Sequence, residues 1–108
     1  MQHKDLAAGR WKTLSFCEQM ANVGSEVERT IRWKEKRNPD YSNRAFVRAL
    51  ELLDLTIADE KNRKRLKEIV RVREALADHF CFNNEYQSTD ASWSKYFYCF
   101  NYAARVNR

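Results

Sequence analysis

The sequence predicts an all-α protein, an antiparallel up-and-down four-helix bundle with a surface suited to oligomer formation. The chain has 108 residues, which is enough for one domain and one core. It contains only two glycines and one proline, whereas sandwiches and barrels need many turn residues. Four segments with helical apolar spacing follow one another, and their short links favour antiparallel neighbours. A three-helix core that exchanges its fourth helix with a partner subunit is the alternative.

The chain divides into an amino-terminal arm, residues 1–13, and the bundle, residues 14–108. The arm has no sustained periodicity, and we expect Trp11 to anchor it on the body. The bundle helices are expected at about 16–37, 42–58, 60–81 and 90–106.

Ser15 and Glu18 mark the start of the first helix, because their spacing is that of a capping box. Apolar residues then recur three and four positions apart: Phe16, Met20, Val23, Val27 and Ile31. Gly24 lies inside this helix, where glycine costs about 1 kcal/mol relative to alanine. We therefore expect another helix to approach closely at Gly24.

The second helix follows the break at Asn38 and Pro39, with Asp40 or Ser42 as its cap. Its core stripe consists of Phe46, Ala49, Leu50, Leu53 and Ile57. A charged string, ADEKNRKR, separates it from the third helix. The connection between these two helices is therefore expected to be very short.

The third helix places an arginine among apolar residues. Its stripe consists of Leu66, Ile69, Val70, Leu76, Ala77 and Phe80. Arg73 falls within this stripe, and a charged group in a core needs partners. Counting from the turns gives Glu28, Glu51 and the Tyr96 hydroxyl as candidates. The alternative is a buried stem whose head reaches a surface carboxylate.

The fourth helix carries aromatic residues on two sides. Its core stripe consists of Trp93, Phe97, Phe100 and Ala104. Tyr98 and Tyr102 lie roughly opposite, where a surface helix usually carries charged residues. Tyrosine suits an interface, so both are candidates for a homo-oligomer contact. Two exposed tyrosines without a role are the alternative.

The net charge is +5, from 20 basic and 15 acidic residues, which favours an acidic partner. RNA, DNA and an acidic protein are all candidates, and RNA is preferred. The candidate nucleic-acid-binding residues are Arg29, Arg32, Lys61, Arg63, Lys64, Arg65, Lys67 and Arg71. Acidic residues four positions from several of these cations are equally typical of a solvated helix surface.

The three cysteines form no C-x-x-C pair, and the sequence begins without the apolar run of a signal peptide. A cytoplasmic protein with reduced thiols is expected. No apolar run approaches the roughly 20 residues that span a bilayer, so no membrane association is expected. Neither a glycine-rich phosphate loop nor metal-ligand spacing occurs, so we expect no cofactor and no metal site.

Arg73 and His79 form the pattern R-x5-H, which resembles the R-x4-6-H motif of HEPN domains. These are small all-α proteins that often act as dimeric, metal-independent ribonucleases. The resemblance implies that Arg73 holds the scissile phosphate and that His79 is the general base or acid for attack by a 2′-hydroxyl. Active members usually have Asn, Asp or His after the arginine, and Glu74 departs from this pattern.

More loosely, the chain resembles the small basic bacterial four-helix-bundle proteins that include the accessory protein of diversity-generating retroelements. That protein binds a reverse transcriptase and its RNA. The resemblance lies in size, charge, architecture and a basic carboxyl end, Ala104 to Arg108. Our leading hypothesis is a non-enzymatic nucleic-acid- or protein-interaction module, and the alternative is a HEPN-type ribonuclease.

Overall fold

A computed structural model describes residues 9–106, and this part of the chain is all-α, as predicted. The helices longer than one or two turns are α1 (Phe16–Glu35), α2 (Pro39–Ala58), α3 (Leu66–Cys81) and α4 (Asp90–Val106). A 3₁₀ helix, Glu60–Arg65, connects α2 to α3, and no strand occurs within residues 9–106. Residues 1–8 of the predicted arm lie outside the described residues.

Side-chain caps fix where α1 and α2 begin. Ser15 Oγ accepts a hydrogen bond from the Glu18 amide at 3.1 Å, and the Glu18 carboxylate accepts one from the Ser15 amide at 2.9 Å. This capping box confirms the predicted start of α1. Helix α2 begins at Pro39, earlier than expected, because Asn38 Oδ1 accepts from the Tyr41 amide and proline suits the first helical position.

A buried polar cluster shapes the connection between α2 and α3. Asn62 is only 2% exposed, although it lies in the charged string. Its amide donates to Gln19 Oε1 at 2.8 Å and to the Thr56 carbonyl at 2.9 Å. Asp59 caps the 3₁₀ helix by accepting from the Lys61 amide. The segment Glu60–Arg65 is therefore a 3₁₀ helix, whereas an α-helix was expected from about residue 60.

Gln19 links this cluster to the start of the described chain. Its Nε2 donates to Asp59 Oδ2 at 2.8 Å and to the Trp11 carbonyl at 3.0 Å. The Trp11 indole N–H donates to Thr56 Oγ1 at 3.0 Å, and Trp11 is buried. Trp11 therefore anchors its segment on the body, as expected.

Helix α1 packs between α2 and α4. Its first residue, Phe16, contacts Phe100 near the end of α4, with ring centroids 5.6 Å apart, and Lys34 near its end pairs with Asp90 at the start of α4. The two helices are therefore antiparallel. Phe97 packs against Gly24, which confirms the close approach expected there. The core between the helices is apolar and includes Met20, Val23, Val27, Phe46, Ala49, Leu53, Ile69 and Leu76.

Helix α3 is rotated relative to the predicted stripe. Its buried residues are Ile69, Val72 and Leu76, whereas Leu66 is 40% exposed. Backbone contacts of α3 are made mainly with α2 and the 3₁₀ helix, and its close approaches to α4 are sparse. A groove consequently separates α3 from α4.

Candidate nucleic-acid interface

Four of the predicted nucleic-acid-binding side chains form a cationic surface on the 3₁₀ helix and α3: Arg63, Lys64, Lys67 and Arg71. All four are exposed, and none makes an ion pair or side-chain hydrogen bond with another described residue. Lys64, Lys67 and Arg71 follow one another at spacings of three and four, so they share one side. None of the four charges is engaged in an ion pair, so all four can meet phosphates.

The other four predicted cations have different surroundings. Arg29 pairs with Glu26, and Lys61 Nζ lies 2.6 Å from Asp59 Oδ2. The Arg65 guanidinium stacks over the Phe16 ring, 4.5 Å from its centroid. Arg32 is exposed on α1, and no contact within residues 9–106 links it to the cationic surface. Three of these side chains are thus engaged by other residues of the chain, and Arg32 stands apart.

A groove of about 700 Å³ opens between α3 and α4, directly beside the cationic surface. We call it the α3–α4 groove. It is lined by Lys67, Glu68, Arg71, Val72, Ala75, Tyr86, Ser88, Ser92, Trp93 and Tyr96. Two cations, an exposed tyrosine ring and an apolar floor therefore meet in one concave site.

The loop between α3 and α4 holds Tyr86 at the groove. The Asp78 carboxylate accepts hydrogen bonds from the amides of Glu85 and Tyr86, at 2.9 and 3.0 Å. The Asn84 side chain accepts from the Ser88 amide at 3.0 Å and donates to the Ser88 carbonyl at 2.8 Å. The Tyr86 side chain nevertheless remains 58% exposed. A hydrogen-bonded backbone thus presents an accessible aromatic ring.

One buried polar atom of the groove residues, Trp93 Nε1, has no hydrogen-bond partner in the described part of the chain, and Trp93 is 7% exposed. Burial raises the pKa of Tyr96 well above its usual value, and the charge of the Glu68 carboxylate and a hydrogen bond with it raise that pKa further. The Tyr96 hydroxyl therefore stays protonated and has Glu68 as its acceptor. An unpaired buried donor costs about 1–3 kcal/mol, so the Trp93 indole N–H would gain from an acceptor.

Arg73 lies at the edge of the core rather than inside it. Its Nε is 2.8 Å from Asp54 Oδ1 of α2, and its side chain is 37% exposed. The expectation that Glu28, Glu51 or Tyr96 would be its partner is therefore wrong. Because Ile69, Val72 and Leu76 form the buried side of α3, residue 73 falls beside α2 and its head reaches a surface carboxylate.

His79 is buried and contacts a different helix. Its side chain is 7% exposed, and its Nε2 lies 2.7 Å from Asp90 Oδ1 at the start of α4. Lys34 Nζ lies 3.4 Å from the same oxygen. Burial would raise the pKa of Asp90, but the His79 hydrogen bond and the Lys34 charge outweigh it and lower that pKa. The three side chains tie the ends of three helices together.

Arg73 and His79 contact different residues on different helices. Their partners are Asp54 on α2 and Asp90 on α4. Six residues of α-helix separate them by about 9 Å along the axis of α3. Each side chain therefore has a structural partner of its own.

Tyr98 and Tyr102 lie on α4, outside the groove, and are 59% and 57% exposed. Cys17, Cys81 and Cys99 are free thiols. No group of three or more histidine, cysteine or acidic side chains is arranged to hold a metal ion within the described range. None of the helices there has both the length and the apolar character needed to cross a bilayer.

Tyr86, Trp93 and Tyr96 were not predicted as site residues. Tyr86 had a signal, since it is the only aromatic residue in the polar stretch NNEYQSTD. Trp93 belongs to the predicted core stripe of the fourth helix and Tyr96 lies beside that stripe, so neither gave a signal of its own. Comparisons with protein-family models, curated proteins and solved structures give no significant match.

Proposed function

We propose that this chain is a non-enzymatic nucleic-acid-binding module whose four long helices form an up-and-down bundle, with RNA as the preferred partner. The observation that carries the proposal is the set of four exposed cations, Arg63, Lys64, Lys67 and Arg71, which have no carboxylate partner among residues 9–106. Phosphate contacts by such cations release counterions and dominate affinity for nucleic acids. The net charge of +5 supports the same partner.

The neighbouring groove favours nucleic acid over an acidic protein. Aromatic rings beside cations are the combination with which proteins bind unpaired strands, because bases stack while phosphates are neutralised. Tyr86 offers such a ring next to Lys67 and Arg71. An acidic protein would use the same cations without needing the ring.

Tyr98 and Tyr102 are proposed to mediate homo-oligomer formation. Both rings are more than half exposed on α4, and neither lines the groove. An oligomer formed through them would leave the cationic surface free for a strand. The three free thiols suit a reducing compartment, and we propose the cytoplasm.

Fluorescence anisotropy with a labelled RNA of mixed sequence tests the binding proposal. Wild-type affinity should fall steeply between about 50 and 200 mM salt. Arg71→Glu should weaken binding about tenfold or more and reduce the salt slope by at least about 1. Arg32→Glu is the matched control, since it reverses an exposed, unpaired cation on α1 and should change affinity less than about twofold. Equal losses in both variants, or full binding at about 500 mM salt, would contradict the proposal.

The same protein and labelled RNA distinguish the binding proposal from the ribonuclease hypothesis. His79→Ala should retain RNA binding, because His79 is buried against Asp90 and lies away from the cationic surface. Wild-type protein should leave RNA intact from about pH 5 to pH 8, the range in which a histidine titrates. Cleavage by the wild type that is lost in folded His79→Ala and Arg73→Ala variants would favour the HEPN-type activity instead.

A further inference from the structure

The geometry points to the α3–α4 groove as a pocket for one unpaired base of a single-stranded nucleic acid. We infer that this pocket makes the protein select single strands over duplexes. The inference rests on the proposed function, since the phosphates on either side of that base would be held by Lys67 and Arg71 of the cationic surface. It adds a specificity element that the cations alone do not provide.

Tyr86 supplies the stacking surface. Its side chain is 58% exposed and lines the groove, and its backbone amide is held by the Asp78 carboxylate at 3.0 Å. A ring on a fixed loop loses little conformational freedom when a base stacks on it, and every base offers a π-face. Stacking on Tyr86 is therefore available to a strand of any sequence.

Other groove residues can form hydrogen bonds with the polar atoms at the edge of a base. The Trp93 indole N–H has no acceptor among the described residues, and bases carry carbonyl oxygens and ring nitrogens that accept hydrogen bonds. The Ser88 hydroxyl donates to Asn84 Oδ1 and the Ser92 hydroxyl donates to the Thr89 carbonyl, so each offers a base only an acceptor lone pair. Glu68 offers a carboxylate that can accept from an exocyclic amino group. The pocket can thus bind both kinds of polar atom on a base.

The volume and the apolar lining of the groove make a bare phosphate or another small ion a poor occupant. The groove volume of about 700 Å³ is that of a small-molecule site rather than an ion site. Val72, Ala75 and Trp93 supply apolar surface that a bare phosphate would not use. The cations lie at the rim on α3, where the backbone of a strand would pass. A paired base would have to leave its duplex before entering, which costs unstacking and unpairing energy.

The test compares a labelled RNA of about 12 nucleotides, alone and annealed to its complement, by fluorescence anisotropy with wild-type protein and four variants. Wild type should bind the single strand more tightly than the duplex. Tyr86→Ala should weaken single-strand binding between about fivefold and a hundredfold, the loss expected for one stacked base, and change duplex binding less than about twofold. Phe82→Ala is the matched control, since it removes a 74% exposed ring from the same loop but not from the groove.

Trp93→Phe keeps an aromatic ring and removes the indole N–H, so it should weaken single-strand binding by a smaller factor and leave duplex binding unchanged. Far-UV circular dichroism establishes that each variant is folded, and Tyr86→Ala, a surface change, decides the result even if Trp93→Phe does not fold. Tyr86→Phe should bind like the wild type. A DNA strand of the same sequence shows whether the sugar matters.

The outcomes separate the two proposals. Equal wild-type affinity for single strand and duplex, or equal losses in Tyr86→Ala and Phe82→Ala, overturns the base pocket while leaving nucleic-acid binding by the cations intact. Wild-type protein that binds neither form overturns the proposed function and the base pocket with it.

Discussion

Phe97 of α4 lies so close to Gly24 of α1 that a Cβ atom at residue 24 would stand 2.7 Å from the Phe97 Cβ. Real Cβ contacts are not this short, so α4 can occupy its position only because residue 24 has no side chain. This contact seats α4 on α1. It thereby helps to set the position of Trp93 and Tyr96 in the groove that faces α3.

Gly24→Ala is expected to destabilise the protein. Alanine normally stabilises a helix by about 1 kcal/mol relative to glycine, but the new methyl group would push Phe97 away, and overpacking costs about 1–3 kcal/mol. We expect a net loss of about 1 kcal/mol, the middle of the resulting range, in the free energy of unfolding measured by urea denaturation. Gly9→Ala is the matched control, because nothing lies within 4 Å of its Cβ position, and it should not destabilise. A Gly24→Ala variant as stable as the wild type would show that α4 can shift freely.

Gln19→Leu should lower stability despite adding an apolar residue to a buried position. Gln19 is fully buried and bonds to Asp59, Asn62 and the Trp11 carbonyl, so its loss leaves several buried groups unpaired. We expect a loss of about 3 kcal/mol in denaturant unfolding. Asn22→Ala, which removes an exposed side-chain bond to the Glu18 carbonyl, should cost less than about 1 kcal/mol. Comparable losses in the two variants would contradict the importance of the buried layer.

Stability should fall in acid because two carboxylates are held ionised by the fold. Burial opposes the charge of Asp59, but its hydrogen bonds with Lys61 and Gln19 outweigh burial and lower its pKa, and the pKa of Asp90 is likewise lowered. Each carboxylate has a folded-state pKa below its unfolded value of about 3.9, so its ionised form stabilises the folded state. This contribution to the free energy of unfolding is complete above about pH 3.9 and is lost as the pH falls through the folded-state pKa. Urea unfolding at a series of pH values between about 6 and 2 should show this loss.

Asp90→Asn tests whether Asp90 contributes to the loss of stability in acid. The variant should be less stable than the wild type near neutral pH, because the ionic contacts with His79 and Lys34 are weakened. It should also lose less stability in acid, since residue 90 no longer titrates. Parallel pH profiles for the variant and the wild type would rule out Asp90 as a source of the acid sensitivity.

Tyr98→Ala combined with Tyr102→Ala should reduce the size of the oligomer measured by sedimentation equilibrium. Both rings are exposed in the single chain, so their removal should leave the fold and the circular dichroism spectrum unchanged. Tyr86→Ala removes a ring of nearly equal exposure elsewhere and should leave the oligomer intact. A wild-type protein that sediments as a monomer would refute the interface.

The all-α character of the described chain could be predicted because its determinants are local. The capping box at Ser15 and Glu18 satisfies amides within three residues, and the scarcity of glycine and proline excludes turn-rich folds. Gly24 was informative for a related reason, since glycine inside a strongly periodic helix indicates close backbone approach. Such features need no knowledge of the neighbouring helices.

The rotation of α3 could not be predicted in the same way. Its apolar residues cover a wide arc, and Leu66 and Val72 are both plausible core positions on the pattern alone. Which of them is buried depends on the helices beside α3, and the structure buries Val72 and exposes Leu66. Arg73 consequently moves from the predicted core to the α2 edge, where Asp54 pairs with it.

The candidate site was predicted only in part, because it is assembled from three segments. Charge counting identified Lys67 and Arg71, but it could not show that Arg29 and Lys61 have carboxylate partners. The groove needs α3, the loop that carries Tyr86, and α4 together. Asn62 was missed as a buried residue because it lies among charged residues and gives no apolar signal.

The polar layer around Gln19 restricts how the helices can slide along one another. Apolar stripes can slip by a turn and still find contacts, whereas amide and carboxylate groups must meet at bonding distance. A slip of one turn would carry Gln19 about 5.4 Å away from Asp59 and Asn62. The contacts of Gln19 with Asp59 and Asn62 therefore fix the register of α1 against its neighbours. Since the register does not depend on the apolar residues, the rest of the interior can tolerate apolar substitutions of similar size.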